Sequence, residues 1–294
     1  MAASCSTQFM ATEEPLTVPD LTQEEREDAR ERTSVTAYVV HEAIRLDGEE
    51  ELRRSSQALA WSGLAAGLSM GFSLVGEGLL RAYLPDVPWR PVITKLGYSL
   101  GFLIVILGRQ QLFTENTLTA ILPLLARRDL TTFWNVLRLW IVVLVANLVG
   151  AHVFAWAAGN SEAFQPQVRH AFQQLGLEAI QVTFGTAILR GIFAGWLIAL
   201  VVWLNAAYST GRIAIIIILT YIVGLAKLTH IVAGSVEVLL LVMTGTIPWL
   251  QAAGGYLLPT LLGNIIGGVT LVSALNHAQV LPPRGGQAGG HSSR

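Results

Sequence analysis

Two short stretches place polar and ionisable residues in the middle of hydrophobic segments. The first is RQQLFTENTLT, residues 109–119, and the second is LTHIVAG, residues 228–234. Irregular, polar backbone is tolerated at membrane depth only inside protein or beside a water-filled cavity. An imidazole in such a place can bind an anion or exchange a proton with it. The two stretches therefore predict breaks in membrane helices that line a path for a solute, with His230 at its centre.

The elements that position these stretches are predicted from composition and segment length. Of the 294 residues, 52% are hydrophobic and only 13% are charged, which is typical of a protein with several membrane-spanning helices. A hydrophobic segment of about 20 residues is long enough to cross a bilayer as a helix. Six such segments are predicted, at residues 57–80, 96–125, 133–158, 180–204, 213–243 and 250–276.

The ends of the chain differ from these segments. Thirteen of the 20 acidic residues lie within residues 1–51, and we predict a disordered acidic N-terminus over residues 1–35. An amphipathic pattern runs from Ser34 to Arg54 and places Val35, Tyr38, Val39, Ala43 and Leu46 on one face, and a cytoplasmic amphipathic helix is predicted over residues 36–54. Residues 278–294 are rich in Gly, Pro and Ser and are predicted to be disordered. Residues 55–277 remain as the membrane domain.

Several classes of function are disfavoured by the residues present. The net charge is −1 without a basic cluster, so we predict no nucleic-acid partner. Cys5 is the only cysteine, which excludes a disulfide framework and a cysteine metal site. We predict no cofactor and no metal. The first residues lack the basic and apolar regions of a cleaved signal peptide, so the membrane helices themselves are expected to direct insertion.

The basic residues predict the orientation in the membrane, because they favour the cytoplasmic side. If the N-terminus is cytoplasmic, eight basic residues flank the helices on that side and four on the other. The eight are Arg45, Arg53, Arg54, Arg127, Arg128, Arg212, Arg284 and Arg294, and the four are Arg81, Arg90, Lys95 and Arg169. We predict a multi-pass membrane protein with both termini in the cytoplasm.

The two breaks occupy matching positions, since each falls in the second segment of a half that has three segments. An odd number of spans per half gives the halves opposite orientations, and paired breaks in such a repeat indicate a pathway near the membrane midplane. We predict an all-α six-helix bundle with an inverted 3+3 repeat. Its second and fifth helices are predicted to break at Leu112–Asn116 and at Thr229–Gly234.

Four motifs in this order resemble the formate/nitrite transporter family, and a divergent branch of it in particular. They are QLFTENTLT, LRGIFAGWLIALVVW, LTHIVAGSVEVLLL and LLPTLLGNIIGGVTLV, and the resemblance covers residues 55–277. It implies an aquaporin-like fold and a homopentamer in the lipid bilayer of a bacterial inner membrane. Each subunit is expected to pass a small monovalent anion or its conjugate weak acid and to have no enzymatic activity.

The resemblance also implies roles for individual residues. The family's pathway residues match His230, Thr114, Asn264 and Arg190, and its hydrophobic constriction matches Leu112 and Phe113. A buried, neutral His230 could gain a proton as an anion approaches and pass it to that anion. The neutral acid would then cross the constriction more easily than the anion, because an unpaired charge is costly in an apolar site.

Four further charged residues lie at the breaks and are candidates for a lesser role. They are Arg109, Glu115, Lys227 and Glu237. We predict that they orient the breaks by pairing among themselves, for example Arg109 with Glu115 or Lys227 with Glu237, rather than by contacting the substrate.

Three alternatives remain open. Gly195 and Gly234 stand where the family has Asn, which favours a channel for a neutral solute or a gas on the same fold. A non-conducting scaffold that recruits a partner through its acidic N-terminus is the second. The third is an intramembrane hydrolase that uses Ser69 and His230, suggested by GLSMG at residues 67–71. The four-residue spacing of Gly63, Gly67 and Gly71 is better explained by close helix packing.

Overall fold

A computed structural model describes residues 22–23, 35–208 and 210–280, and these residues form helices and loops without a strand. The predicted disordered ends lie outside the described residues, except for Thr22, Gln23, Val35 and the helical residues 278–280. In chain order the helices are α1 (Ala37–Arg53), α2 (Ser56–Tyr83), α3 (Arg90–Leu107), α4 (Asn116–Thr119), α5 (Ile121–Arg127), α6 (Leu130–Asn160), α7 (Pro166–Ile180), α8 (Phe184–Ala207), α9 (Arg212–Leu225), α10 (Ala233–Met243) and α11 (Trp249–Gln279).

Five helices are long and apolar enough to cross a membrane: α2, α3, α6, α8 and α11. The helices α9 and α10 are apolar but shorter, and together they provide the remaining crossing. The predicted all-helical membrane fold is therefore confirmed. The end of the bundle where α1 packs is called the α1 end, and the opposite end, where α7 packs, is called the α7 end.

Both predicted breaks are present, between α3 and α4 and between α9 and α10. Each break begins with the same turn, in which a basic residue adopts a left-handed conformation, Arg109 at φ 51° and Lys227 at φ 52°. The next N–H bonds a carbonyl five residues back, from Gln110 to Val105 and from Leu228 to Val223, at 3.0 Å in each case. This is a Schellman-type helix end, where glycine is the usual residue. A cation at that position interacts favourably with the helix dipole.

Close helix contacts hold each half together. A Cβ on Gly67 of α2 would lie 2.1 Å from the carbonyl oxygen of Asn147 on α6. A Cβ on Gly195 of α8 would lie 2.4 Å from the carbonyl oxygen of Asn264 on α11. Only glycine permits these approaches, so Gly63 and Gly67 belong to a close-packing face, as their spacing predicts.

The helix α1 differs in detail from the sequence-based expectation. Its predicted apolar face is exposed, with Tyr38 at 62% and Leu46 at 53%. The face that packs on the bundle is the opposite one, which carries Val40, His41, Ile44 and Gly48. A helix with apolar residues on both faces gives no sequence signal for which face docks. The sequence also did not predict α7, because its 15 residues are too few and too polar to read as a membrane segment.

Candidate functional site

The two breaks meet inside the bundle. The hydroxyl of Thr114 in the first break lies 2.8 Å from Nε2 of His230 in the second. Both residues are fully buried, and the ring of Phe102 stands edge-on to the imidazole with 5.0 Å between the ring centres. Because the two residues are 116 positions apart, only the packing of the two halves joins them.

Hydrogen bonds fix the protonation pattern of His230. Its Nδ1 accepts the backbone N–H groups of Val232, at 3.3 Å, and Ala233, at 3.1 Å. These are among the free N–H groups at the start of α10, which the imidazole caps. Since Nδ1 is the acceptor, the proton of the neutral ring lies on Nε2, which donates to Thr114. A second proton on Nδ1 would face two N–H groups and the positive end of the helix dipole.

Two asparagines hold the breaks by matching sets of hydrogen bonds. In the first half, Oδ1 of Asn147 accepts the N–H of Phe113 at 2.9 Å, and Nδ2 donates to the carbonyls of Gln111 at 2.9 Å and Gly63 at 2.8 Å. In the second half, Oδ1 of Asn264 accepts the N–H of Ile231 at 2.8 Å. Its Nδ2 donates to the carbonyls of Thr229 and Gly191, both at 2.9 Å.

Each asparagine thus connects a break to the neighbouring long helix, and both side chains are fully buried. The sequence analysis assigned Asn264 to the pathway and did not single out Asn147. The sequence does contain a pattern that could have identified Asn147, because Asn147 and Gly150 repeat the spacing of Asn264 and Gly267. In each pair the glycine, like the asparagine, touches the backbone of the facing helix.

A hydrophobic barrier surrounds the Thr114–His230 contact. Leu112 and Phe113 are 0% and 1% exposed and belong to the same core cluster as Phe102, Ile231 and Val232. The ring of Phe113 also packs edge-on against Trp140, with 5.8 Å between ring centres. Leu112 and Phe113 therefore lie where the sequence predicts a constriction, and their closing of a path remains a prediction.

A cavity of about 470 Å³ opens below this barrier at the α1 end. Arg109, Gln111, Leu112 and Glu115 of the first break line one side of it. The acidic edge of α1 lines the other side with Asp47, Glu50 and Glu51. Among the described residues, Arg109 forms no ion pair with Glu115, so that predicted pair is wrong. Both residues instead line the same cavity.

A smaller cavity, of about 50 Å³, lies at the α7 side of the barrier. It reaches Thr229, next to His230, and its lining includes Arg190, Lys227 and Glu237. Its volume has room for about three water molecules or one small anion. A second cavity of about 510 Å³ shares Lys95, Glu178 and Lys227 with it and extends toward the α7 end.

Ion pairs in these cavities differ from the predicted ones. Lys227 pairs with Glu178 of α7 at 3.3 Å and not with Glu237, and Arg81 of α2 pairs with the same carboxylate at 2.6 Å. Burial alone raises the pKa of Glu178, but the hydrogen bond and charge of Arg81 and the charge of Lys227 outweigh it and hold the pKa below its usual value. The sequence could not give this pairing, because α7 itself was not predicted.

A buried ion pair joins Glu77 of α2 to Lys95 of α3. Their side chains are 1% and 13% exposed. The sequence analysis used Lys95 only as one of the basic residues that flank the helices, and it did not single out Glu77. Within the described part of the chain, no group of three or more His, Cys, Asp or Glu residues is arranged to hold a metal ion.

Comparison with known proteins identifies the family. The family model described as "Formate/nitrite transporter" matches residues 38–278. The "Inner membrane protein YfdC" of Escherichia coli (strain K12) is 43% identical over 250 residues, which cover 85% of this chain and 81% of that protein. The "Formate channel BtFdhC" of Bacillus thuringiensis is 25% identical over 234 residues, covering 76% of this chain and 88% of that one.

Solved structures show the same fold. A "Pentameric formate channel with formate bound" superposes with a TM-score of 0.66 at 21% identity, covering 76% of this chain and 97% of that one. An "FNT family ion channel" superposes with a TM-score of 0.67 at 19% identity, covering 83% of this chain and 99% of that one. The family model spans nearly all of the described helices, including both breaks, and the chain belongs to the formate/nitrite transporter family.

Proposed function

We propose that each subunit conducts a small monovalent anion, or its conjugate weak acid, between the cavities at the two ends of the bundle. The observation that carries this proposal is the meeting of the two helix breaks at the 2.8 Å contact between Thr114 and His230. It lies between the 470 Å³ cavity on one side and the 50 Å³ cavity on the other. The formate channels among the relatives support the class of solute.

Charge along the path fits an anion that loses water at the barrier. Arg190 lines the 50 Å³ cavity, and among the described residues it has no hydrogen-bond or ion-pair partner. A free guanidinium suits a carboxylate or a similar planar anion. Beyond it, Leu112 and Phe113 exclude water, so a solute needs polar partners within the barrier. Thr114 and His230 are the side chains placed to provide them.

In this proposal His230 acts as a neutral hydrogen-bond donor. The sequence predicts that His230 takes up a proton, but Nδ1 already accepts two backbone N–H groups. Protonation at Nδ1 would break both bonds. The Nε2–H group can instead turn its hydrogen bond from Thr114 to the passing solute, and this requires no change of charge. Proton coupling, where it occurs, then needs another group.

Flux assays on purified protein in proteoliposomes test the proposal. The probes are formate, nitrite, acetate, lactate, hydrosulfide and glycerol, and the variants are His230→Asn and His152→Asn. The side chain of Asn also carries a donor, but it is too short to reach the position of the His230 Nε2–H group. A hydrogen bond to a charged group contributes about 1.5–3 kcal/mol, so His230→Asn should lower the flux of the conducted anion by about 10- to 100-fold. His152 stacks on Trp249 away from the breaks, and His152→Asn should conduct like the wild type.

The alternatives correspond to other outcomes. Conduction of glycerol with no anion flux would favour the neutral-solute channel. No flux of any probe through a folded protein would favour the scaffold. The hydrolase alternative lacks a reactive pair, because no hydrogen bond joins Ser69 to His230 in the described part of the chain.

We also propose a homopentamer with one path per subunit and with both termini in the cytoplasm. The support is the pentameric formate channel that shares the fold. Native mass spectrometry in mild detergent should give five copies, and cysteines placed near either terminus should be labelled from the same side of the membrane. Dimers alone, or labelling from opposite sides, would contradict these two claims.

A further inference from the structure

One carboxyl group in the cavity at the α7 side has no counter-charge in contact with it. Glu237 lies in the second turn of α10, is 9% exposed, and lines the 50 Å³ cavity beside Arg190, Tyr98 and Tyr256. Among the described residues, no hydrogen bond or ion pair reaches its carboxyl oxygens. An ionised, unpaired carboxylate at this depth is costly.

The charged groups around Glu237 are already engaged, with one exception. Lys95 pairs with Glu77, while Lys227 and Arg81 both pair with Glu178. Arg190 alone lines the cavity without a partner among the described residues. The groups that face Glu237 from the elements packed around it are Glu77 of α2, Lys95 and Tyr98 of α3, Glu178 of α7, Arg190 of α8, Lys227 of the second break and Tyr256 of α11.

An ionised Glu237 would therefore bring a third carboxylate near Glu77 and Glu178, and Lys95 would be shared between two of the three. A vestibule for anions would also carry a negative charge next to Thr229, where the path narrows, and that charge would offset the attraction of Arg190 for an anion. A proton on Glu237 removes both difficulties, because a neutral carboxyl group needs no counter-charge and can donate a hydrogen bond.

We propose that Glu237 carries a proton at the α7 side of the path and transfers it to the anion that is about to cross the barrier. This inference rests on the proposed function. In the transfer, the O–H bond of the Glu237 carboxyl group breaks and an O–H bond forms on the anion. The bonding electron pair stays on Glu237, which becomes a carboxylate, while the solute continues past Thr229 as a neutral acid.

The Glu237 carboxylate is then protonated again from the α7 end. The 510 Å³ cavity shares Lys95, Glu178 and Lys227 with the 50 Å³ cavity, so water in it can supply the next proton. Arg190 draws the anion in, Glu237 neutralises it, and His230 offers a hydrogen bond within the barrier. Each turnover moves one anion and one proton together, and transport is electroneutral.

Infrared difference spectroscopy tests the protonation of Glu237 without reference to transport. The protein in lipid is compared at about pH 5 and pH 8 as wild type, Glu237→Gln and Glu178→Gln. One carbonyl band of a protonated, buried carboxyl group should be present in the wild type and in Glu178→Gln and absent from Glu237→Gln, while the bands of other protonated carboxyl groups stay unchanged. If Glu237→Gln does not fold, Glu237→Asp should shift the band. A wild type without the band would overturn the proposal, whether or not the protein conducts formate.

Flux assays test the transfer. The probes are formate and nitrate, because nitrate is the anion of a strong acid and does not accept a proton from a carboxyl group. Glu237→Gln should lower formate flux by about tenfold or more and abolish its dependence on pH. Nitrate crosses only as the anion, so its flux should be slower than that of formate in the wild type and unchanged in Glu237→Gln. Glu178→Gln removes a charge from the same vestibule and should keep the pH profile.

Three results would overturn the transfer. One is an unchanged pH profile for formate in Glu237→Gln. Another is an equal change in formate and nitrate flux, which would show an electrostatic effect alone. The third is a pH profile that disappears in His230→Asn but persists in Glu237→Gln, which would place the proton on His230. A wild type that conducts neither ion would contradict the proposed function and leave the infrared result to decide the state of Glu237.

Discussion

Replacing Asn147 by Ala should destabilise the first helix break more than any substitution of an exposed residue in that break. Asn147 is fully buried, and its side chain is the only partner, within the described chain, of the Phe113 N–H and the Gln111 carbonyl. Gly63 keeps its bond within α2 when Asn147 is lost. Two backbone groups are thus left buried without a partner, and each costs about 1–3 kcal/mol.

The expected loss of stability is therefore about 2–6 kcal/mol, a large part of the stability of a typical domain. The unfolding midpoint of the purified protein should fall by about 4–20 °C. Formate flux should fall by about tenfold or more, because a displaced Thr114 no longer meets His230. Asn147→Asp should be at least as harmful, since a carboxylate would face two carbonyl oxygens.

Two matched variants make the test specific. Asn264→Ala removes the same three bonds from the second break, so its effect should equal that of Asn147→Ala. Asn205 is also a buried asparagine, but its side-chain oxygen has no hydrogen-bond partner among the described residues, and Asn205→Ala should change little. A midpoint and a flux in Asn147→Ala that match those of Asn205→Ala would refute the role assigned to the asparagine.

Three further changes have defined outcomes. Gly195→Ala should lower the unfolding midpoint, because its Cβ would lie 2.4 Å from the Asn264 carbonyl oxygen. The control is Gly185→Ala in the same helix, whose Cβ meets nothing within 4 Å. Equal midpoints for the two variants would show that α8 and α11 can separate. Glu77→Gln leaves Lys95 buried without its partner, and the free energy of unfolding, measured by denaturation, should fall by about 3–5 kcal/mol. Adding Lys95→Met should recover much of this loss. Asp86→Asn breaks an exposed pair with Arg90 and should be neutral, so a similar cost for Glu77→Gln and Asp86→Asn would contradict the buried pairing. Burial, and then the nearby His277, lower the pKa of His41 below its usual value of 6.5. The folded state then binds fewer protons, so His41 supports the docking of α1 above about pH 6.5 and this support is lost as the pH falls through the lowered pKa. The protection of the α1 amides from hydrogen exchange, relative to the unfolded chain at the same pH, should fall with the pH in the wild type and not in His41→Gln. Protection that is constant across this range would refute the link.

Several features of this protein followed from sequence alone because their physical causes are local. The length and hydropathy of each segment determine whether a helix can cross a bilayer. The runs RQQLFTENT and LTHIVAG interrupt two such segments with polar residues, which no continuous membrane helix accommodates at low cost. The ordered motifs around Thr114, Arg190, His230 and Asn264 gave the family. Their exact roles along the path remain predictions.

Tertiary structure decided the features that depend on residues far apart in the chain. Three such features arise when the helices pack. They are the contact between Thr114 and His230, the backbone hydrogen bonds that make Nδ1 of His230 an acceptor, and the hydrogen bond from the Phe113 N–H to Asn147. The sequence paired Lys227 with Glu237 because they are neighbours along the chain, whereas packing brought Lys227 to Glu178 and left Glu237 facing a cavity. A charge in a membrane segment must find a partner or a proton. Which of the two it finds is set by the three-dimensional arrangement of all the helices, and no local pattern of residues encodes it.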